Sequence, residues 1–138
     1  MCPAEDPMLQ DVESRSASVL LVEDEVLLRL AVAADLRESG YEVVEAANGD
    51  EARNLILAGI PVDIVVADIA MPGRLDGAEF ATWMQESGLD APIILTSGLP
   101  TALERARVRC PHVKAFVVKP YAHHKVVAQV QALLATRG

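Results

Sequence analysis

The sequence predicts an α/β domain in which a five-stranded, doubly wound parallel sheet is covered by helices on both faces. Three observations carry that prediction. Five short apolar runs recur along the chain, and four of them are nearly continuous rather than alternating, as in strands buried on both faces. Segments of helical period separate the runs, giving a βαβα alternation in which each crossover is right-handed and brings a helix onto the sheet. At 138 residues with 51% hydrophobic side chains, the chain has room for one domain with one sizeable core.

The elements follow in order. Residues 1–17 are acidic and lack a basic start followed by an apolar stretch, so they read as a disordered tail rather than a secretory signal, leaving 18–138 as the domain. The first run is "SVLLV" (18–22). After it, "EVLLRLAVAADLRES" places Val26, Leu27, Leu30, Ala33 and Ala34 toward one helix face, with Gly40 as the stop. "YEVVEA" (41–46) alternates more than the others, which suits an edge strand. Asn48 with Glu51, and Asp76 with Glu79, each have the spacing of a capping box that opens a helix after a strand. Between these caps lies "VDIVVAD" (62–68), and "PIILTS" (92–97) is the fourth run. Phe80 and Trp83, at helical spacing, read as core. The helical pattern is thinnest from about Leu99 to Arg109, where Leu103, Ala106 and Val108 are interleaved with three arginines, so a loosely packed fourth helix is expected. "KAFVVK" (114–119) precedes a last helix with Val126, Val127, Val130, Leu133 and Leu134 at three- and four-residue spacing. Periodicity leaves the strand order open. An order of 2-1-3-4-5 would place ligands outside the carboxyl ends of strands one and three, where the winding reverses.

Composition narrows the function. A formal net charge of −8 without a compensating basic stripe disfavours nucleic acid, and no apolar run approaches the ~20 residues of a membrane span. Cys2 and Cys110 form neither a disulfide framework nor a metal-ligand pattern, which fits a reduced, cytoplasmic protein. His112, His123 and His124 are too scattered for a ligand set and read as surface residues.

The functional signal is what terminates the strands: Glu23-Asp24 after the first, Asp68 after the third, Thr96-Ser97-Gly98 after the fourth and Lys119-Pro120 after the fifth. In a parallel sheet all these ends lie on one edge, so three carboxylates, a hydroxyl and an ammonium converge. Two carboxylates about 4 Å apart repel by about 4 kcal/mol at an effective dielectric of about 20. A hard divalent cation relieves that repulsion, and an all-oxygen donor set favours Mg²⁺. An Asp carboxylate in such a site is a competent nucleophile toward phosphorus. Taken singly, each acid is as well explained by a strand ending at the surface; their register with Ser97 and Lys119 is what argues against that. Asp76 reads as a helix cap, Glu25 as a residue of the first helical turn, and Asp63 as lying at the far edge of the sheet.

"VLLVEDE", "DIAMPGRLDG", "PIILTSG" and "FVVKPY", in this order and each at a strand end, resemble the receiver domain of bacterial two-component response regulators, of the stand-alone type, over about residues 18–137. The resemblance implies the flavodoxin-like strand order 2-1-3-4-5. It implies Asp68 as the acceptor of a phosphoryl group from a sensor histidine kinase or phosphotransfer protein. Asp24 would ligate Mg²⁺ directly and Glu23 largely through water, with Asp68 and the backbone carbonyl of Ala70 completing the protein's share. Lys119 would pair with Asp68 and then with a phosphoryl oxygen, and its bond to Pro120 would be cis. Ser97 and Phe116 would form the switch.

Four departures from the family pattern stand out: Glu23 for the commoner Asp, Ser97 for Thr, Phe116 for Tyr, and a "MPGRLDG" loop one residue longer than usual, at the rim where a kinase docks. With no output domain expected after Gly138, the phosphorylated state would be read by a separate downstream protein. That partner, or a second copy in a weak dimer of an otherwise monomeric protein, would use the fourth helix, fifth strand and fifth helix. The chain would be no enzyme beyond its own phosphotransfer and dephosphorylation. A haloacid dehalogenase-type phosphatase would want an acid where Ala70 stands, and a flavin or nucleotide site would want a glycine- or hydroxyl-rich loop where Glu23-Asp24-Glu25 stands.

Overall fold

The parallel pairing that the apolar runs call for is present in full. A computed structural model describes residues 16–71, 73, 75–120 and 123–137; the expected tail falls almost wholly outside these, as do Pro72 and Arg74 of the long loop. The strands are β1 (Ser18–Val22), β2 (Glu42–Ala46), β3 (Ile64–Asp68), β4 (Ile93–Ser97) and β5 (Ala115–Val118), all parallel, in the order β2-β1-β3-β4-β5. The helices are α1 (Val26–Glu38), α2 (Gly49–Leu57), α3 (Gly77–Glu86), α4 (Pro100–Arg109) and α5 (His123–Arg137). β1, β3 and β4 are buried throughout, whereas the edge strand β2 is half-buried, as its alternating sequence predicts.

Alternate side chains of the strands feed two core layers. Leu20, Val65 and Leu95 pack toward Ala52, Phe80, Met84 and Leu103 of α2, α3 and α4. Val19, Leu21, Ile64, Val66 and Ile94 pack toward Val32, Leu36, Val126 and Val130 of α1 and α5. Because both layers are apolar, the strand sequences show no alternation although the strands themselves do. β1 lies between β2 and β3, so the chain reverses its winding there and leaves a crevice at the carboxyl ends of β1 and β3.

Both helix caps form. The Asp76 side chain accepts from the Glu79 N–H at 2.7 Å and Glu79 accepts from the Asp76 N–H at 3.0 Å, a complete capping box. Asn48 accepts from the Glu51 N–H at 2.8 Å, but Glu51 reaches the Ala47 N–H rather than that of Asn48. The cap on α3 sets Gly77 against the end of β3, where its N–H donates to the Ile69 carbonyl at 2.9 Å. A Cβ at Gly77 would collide with the Asp68 carbonyl oxygen and lie 2.8 Å from the Ile69 Cα.

Three expectations are corrected. On α1 the buried residues are Val32, Ala33 and Leu36; Val26, Leu27, Leu30 and Ala34 are exposed, Leu27 by 84%. The helix is apolar almost all round, so its period could not choose the inner face, and its first turn runs along the rim of the crevice rather than over the sheet. Val108 is 85% exposed, leaving α4 with Leu103 and Ala106 as its buried residues against five on α3. His112 is not a plain surface residue, since its Nε2 lies 3.0 Å from the Ala81 carbonyl of α3. Phe80 is fully buried and stacks on half-buried Trp83, with ring centroids 5.9 Å apart.

Gly77→Ala should lower stability by about 1–3 kcal/mol in urea unfolding, because backbone rather than a flexible side chain must give way. Gly98→Ala, whose Cβ would meet nothing within 4 Å, should stay within about 0.5 kcal/mol.

Candidate functional site

Strand register brings the predicted residues together. Val22 pairs with Ala67, Asp68 with Thr96 and Ser97 with Val118, so Glu23, Asp24, Asp68, Ser97 and Lys119 all emerge at one edge of the sheet. They meet at a hollow of about 540 Å³ whose wall includes Asp68, Ala70, Ser97 and Lys119 together with Glu25, Leu28 and Leu99. Asp68 is 6% exposed and Glu23 3%, while Asp24 stands in solvent.

Lys119 joins the two buried acids. Its Nζ donates to Glu23 Oε1 at 2.6 Å and to Asp68 Oδ2 at 2.9 Å, and lies 3.5 Å from Glu25 Oε2. The Lys119 N–H bonds the Ser97 carbonyl at 2.8 Å, and the Lys119–Pro120 peptide is cis, as the resemblance implied. Burial pushes the Glu23 carboxyl up to about 7, with the Asp68 charge adding to the rise and the Lys119 and Glu25 hydrogen bonds opposing it. Burial alone would lower the Lys119 ammonium, but its hydrogen bonds to Glu23 and Asp68 win and hold it above its ordinary value.

One carboxylate oxygen each from Glu23, Asp24 and Asp68 can be chosen so that all lie within 4.8 Å of one another. Three acids so close, answered by a single ammonium, leave a surplus of negative charge. An all-oxygen donor set of that charge and spacing fits a hard divalent cation of the Mg²⁺ class. The free faces of the Asp68 carboxylate are oriented by Lys119 on one oxygen and by the Ala70 N–H on the other, at 3.3 Å.

Ser97 is buried, and its oxygen accepts from the Leu99 N–H at 3.0 Å at the entry to α4. A hydroxyl that accepts this bond still has its own O–H to donate. Phe116 is half-buried on β5, with the Arg107 guanidinium of α4 centred 4.5 Å over its ring, a cation–π contact. Asp76 caps α3 and Asp63 accepts from the Ser18 N–H at the opposite end of the sheet, as their contexts predict.

Two site residues were missed by reasoning from sequence. Glu25, expected in the first turn of α1, is instead its N-cap residue with extended backbone and no side-chain cap; its carboxylate lies 3.5 Å from the Lys119 ammonium. Arg29 donates to the Glu23 carbonyl at 2.8 Å and pairs with Glu45 at 3.2 Å, bracing the acidic turn against β2. The signal for Arg29 was available: it is the one charged residue within "VLLRLAVAA", four residues after Glu25.

The response regulator receiver domain profile matches residues 19–131. Response regulator MprA of Mycolicibacterium vanbaalenii is 34% identical over 116 residues, covering 84% of this chain and 49% of that protein. The chain spans about half the length of the curated relatives it matches. Among solved structures, the response regulator TrrA of Thermotoga maritima in complex with Mg²⁺ and BeF aligns with a TM-score of 0.75 at 32% identity, covering 85% of this chain and 98% of that one. A response regulator receiver protein of Sinorhizobium medicae aligns with a TM-score of 0.79 at 27% identity, covering 90% and 98%. Among the described residues no helix is long and apolar enough to cross a membrane.

The raised Glu23 carboxyl has a measurable consequence. Between its ordinary value of 4.5 and about 7 the folded protein holds a proton that the unfolded chain has released. Stability in the absence of divalent cations should therefore fall as pH rises through this window, with the loss complete above it. Urea midpoints measured across the window should show that slope in the wild type and lose it in Glu23→Gln. Added Mg²⁺ should restore stability at the alkaline end.

Proposed function

The chain belongs to the response regulator receiver domain family, and from that premise we propose that Asp68 takes a phosphoryl group from a phosphohistidine on a sensor histidine kinase or phosphotransfer protein. The observation that carries this reading is the Lys119 ammonium shared between Asp68 and Glu23 inside a hollow with excess negative charge. A carboxylate so held is aimed, nearly buried and open on the side of the hollow.

In the transfer, an Asp68 carboxylate oxygen forms a bond to phosphorus as the phosphorus–nitrogen bond breaks. The electron pair of the broken bond leaves on the imidazole, which takes up a proton. Glu23, Asp24, Asp68 and the Ala70 carbonyl are the groups that would hold Mg²⁺, which when bound supplies positive charge to the phosphoryl oxygens. Lys119, already between the two acids, transfers one of its hydrogen bonds to a phosphoryl oxygen. Ser97 donates its hydroxyl proton to another, and Phe116 changes rotamer as the strand-four loop draws in. The protein's chemistry is confined to its own phosphorylation and dephosphorylation, and its altered state is read by a downstream protein at α4, β5 and α5.

The phosphodonor must reach over the rim formed by the first turn of α1. Glu25 and Leu28 line the hollow there, and Val26, Leu27 and Leu30 expose a continuous apolar stripe beside it. That stripe supports α1 as the seat of the donor, since apolar area next to a reacting centre is the surface association would bury.

Two measurements test the reading. Acetyl phosphate with Mg²⁺ should add a single phosphoryl mass to the wild type and none to Asp68→Asn, and omitting Mg²⁺ should abolish the adduct; an adduct in the variant would overturn the assignment. Leu27→Lys should slow transfer from a phosphohistidine donor by about tenfold while leaving the acetyl phosphate reaction unchanged.

A further inference from the structure

Charge is divided unevenly along this chain. Of its twenty acidic residues only Glu104 lies beyond position 99, whereas seven of its twelve lysines and arginines do. The fold carries that imbalance on α4, β5 and α5, with α4 and α5 flanking the strand from opposite layers. Arg105, Arg107, Arg109, Lys114 and Lys125 are all exposed, Arg107 facing β5 over the Phe116 ring and Arg105 and Arg109 lying on the α3 side of α4. Glu104 is already engaged, its carboxylate lying 3.5 Å from Arg107 one turn along. Arg105 and Arg109 have no carboxylate within ion-pair distance among the described residues. They line a groove of about 230 Å³ between α4 and the start of α3, floored by Ile69, Ala78 and Ala106. Asp76 stands at its end with its carboxylate committed to the α3 cap.

We propose that α4, with its groove against α3, is the docking site for an acidic and partly apolar segment of a partner protein, not for a second copy of this chain. The inference rests on the receiver reading only in taking α4 as part of the surface that is read; the charge observation stands apart from it. A two-fold contact would lay this face on itself, bringing arginine against arginine with no spare carboxylate to answer. A head-to-tail contact would place it on the acidic remainder of another copy and would not close. Nucleic acid fits less well, because an extended polyanion meets the acidic remainder of the molecule as soon as it leaves the patch. A short acidic segment does not, since the patch acts over a distance of about 8–10 Å at physiological salt. Two unpaired arginines one helical turn apart over an apolar floor are matched by two carboxylates flanking an apolar side chain.

The test uses the full chain and a fluorescein-labelled synthetic peptide alternating Glu and Leu, with the same peptide carrying Gln for Glu as control. Fluorescence anisotropy should show binding of the Glu peptide that weakens with salt, little binding of the Gln peptide, and at least about a tenfold loss of affinity in the double variant Arg105→Glu, Arg109→Glu. Equal binding of the two peptides, or unchanged affinity in the variant, overturns the proposal. So does a DNA duplex that binds more tightly than the Glu peptide, or sedimentation showing a dimer that the variant disperses. The double variant should still form the acetyl phosphate adduct, which shows that it is folded. A wild type that forms no adduct yet binds the peptide would fail the phosphoacceptor reading and leave this one standing.

Discussion

The Lys119 ammonium is the contact on which the site depends. Glu23 and Asp68 are both nearly buried, and two carboxylates this close can both be ionised in a protein interior only when a cation lies between them. Lys119 can occupy that place because β5 delivers it at the same edge of the sheet as Asp68, through a strand order that sets β4 alone between β3 and β5. Its backbone is tied to the Ser97 carbonyl, so the Asp68 carboxylate, the Ser97 hydroxyl and the ammonium are held by one short stretch of sheet. The ammonium cannot fully answer three acids, and the surplus negative charge is what makes the hollow a place for a divalent cation.

Much of this was legible in the sequence. Continuous apolar runs gave away a sheet covered on both faces, and the polar residues ending them marked the site because a parallel sheet sends every carboxyl end to one edge. Asp76 and Asn48 could be assigned as caps because capping is local chemistry, decided within four residues. Strand order was not readable from periodicity and came from the likeness of four motifs to a known family. The inner face of α1 was misjudged for a different reason: Val26, Leu27 and Leu30 are as apolar as Val32 and Leu36, and only the position of the helix over the sheet decides which set is covered. The contacts of Glu25 with Lys119 and of Arg29 with Glu45 escaped notice because they are set by tertiary structure.

The two helices that flank the hollow contrast in surface chemistry. α1 offers an apolar stripe beside the hollow, whereas α4 meets the hollow only at its entry, Leu99, and carries its arginines further along, two of them over the separate groove against α3. On the proposed reading, two kinds of partner would be told apart by the same small domain, one seated by apolar contact and the other steered by charge. α4 suits the second role also because it is lightly anchored, with two buried side chains, so moving it disturbs little of the core.

The hydrogen bond from the Leu99 amide to the Ser97 oxygen couples these parts in series. Because the oxygen accepts from α4 while its proton remains free for the hollow, a displacement of Ser97 tows the first turn of α4 with it. The linkage runs equally in reverse. A body clamped onto α4 would restrain Ser97 in turn, so occupancy of that helix and occupancy of the hollow would favour or oppose one another to the same extent.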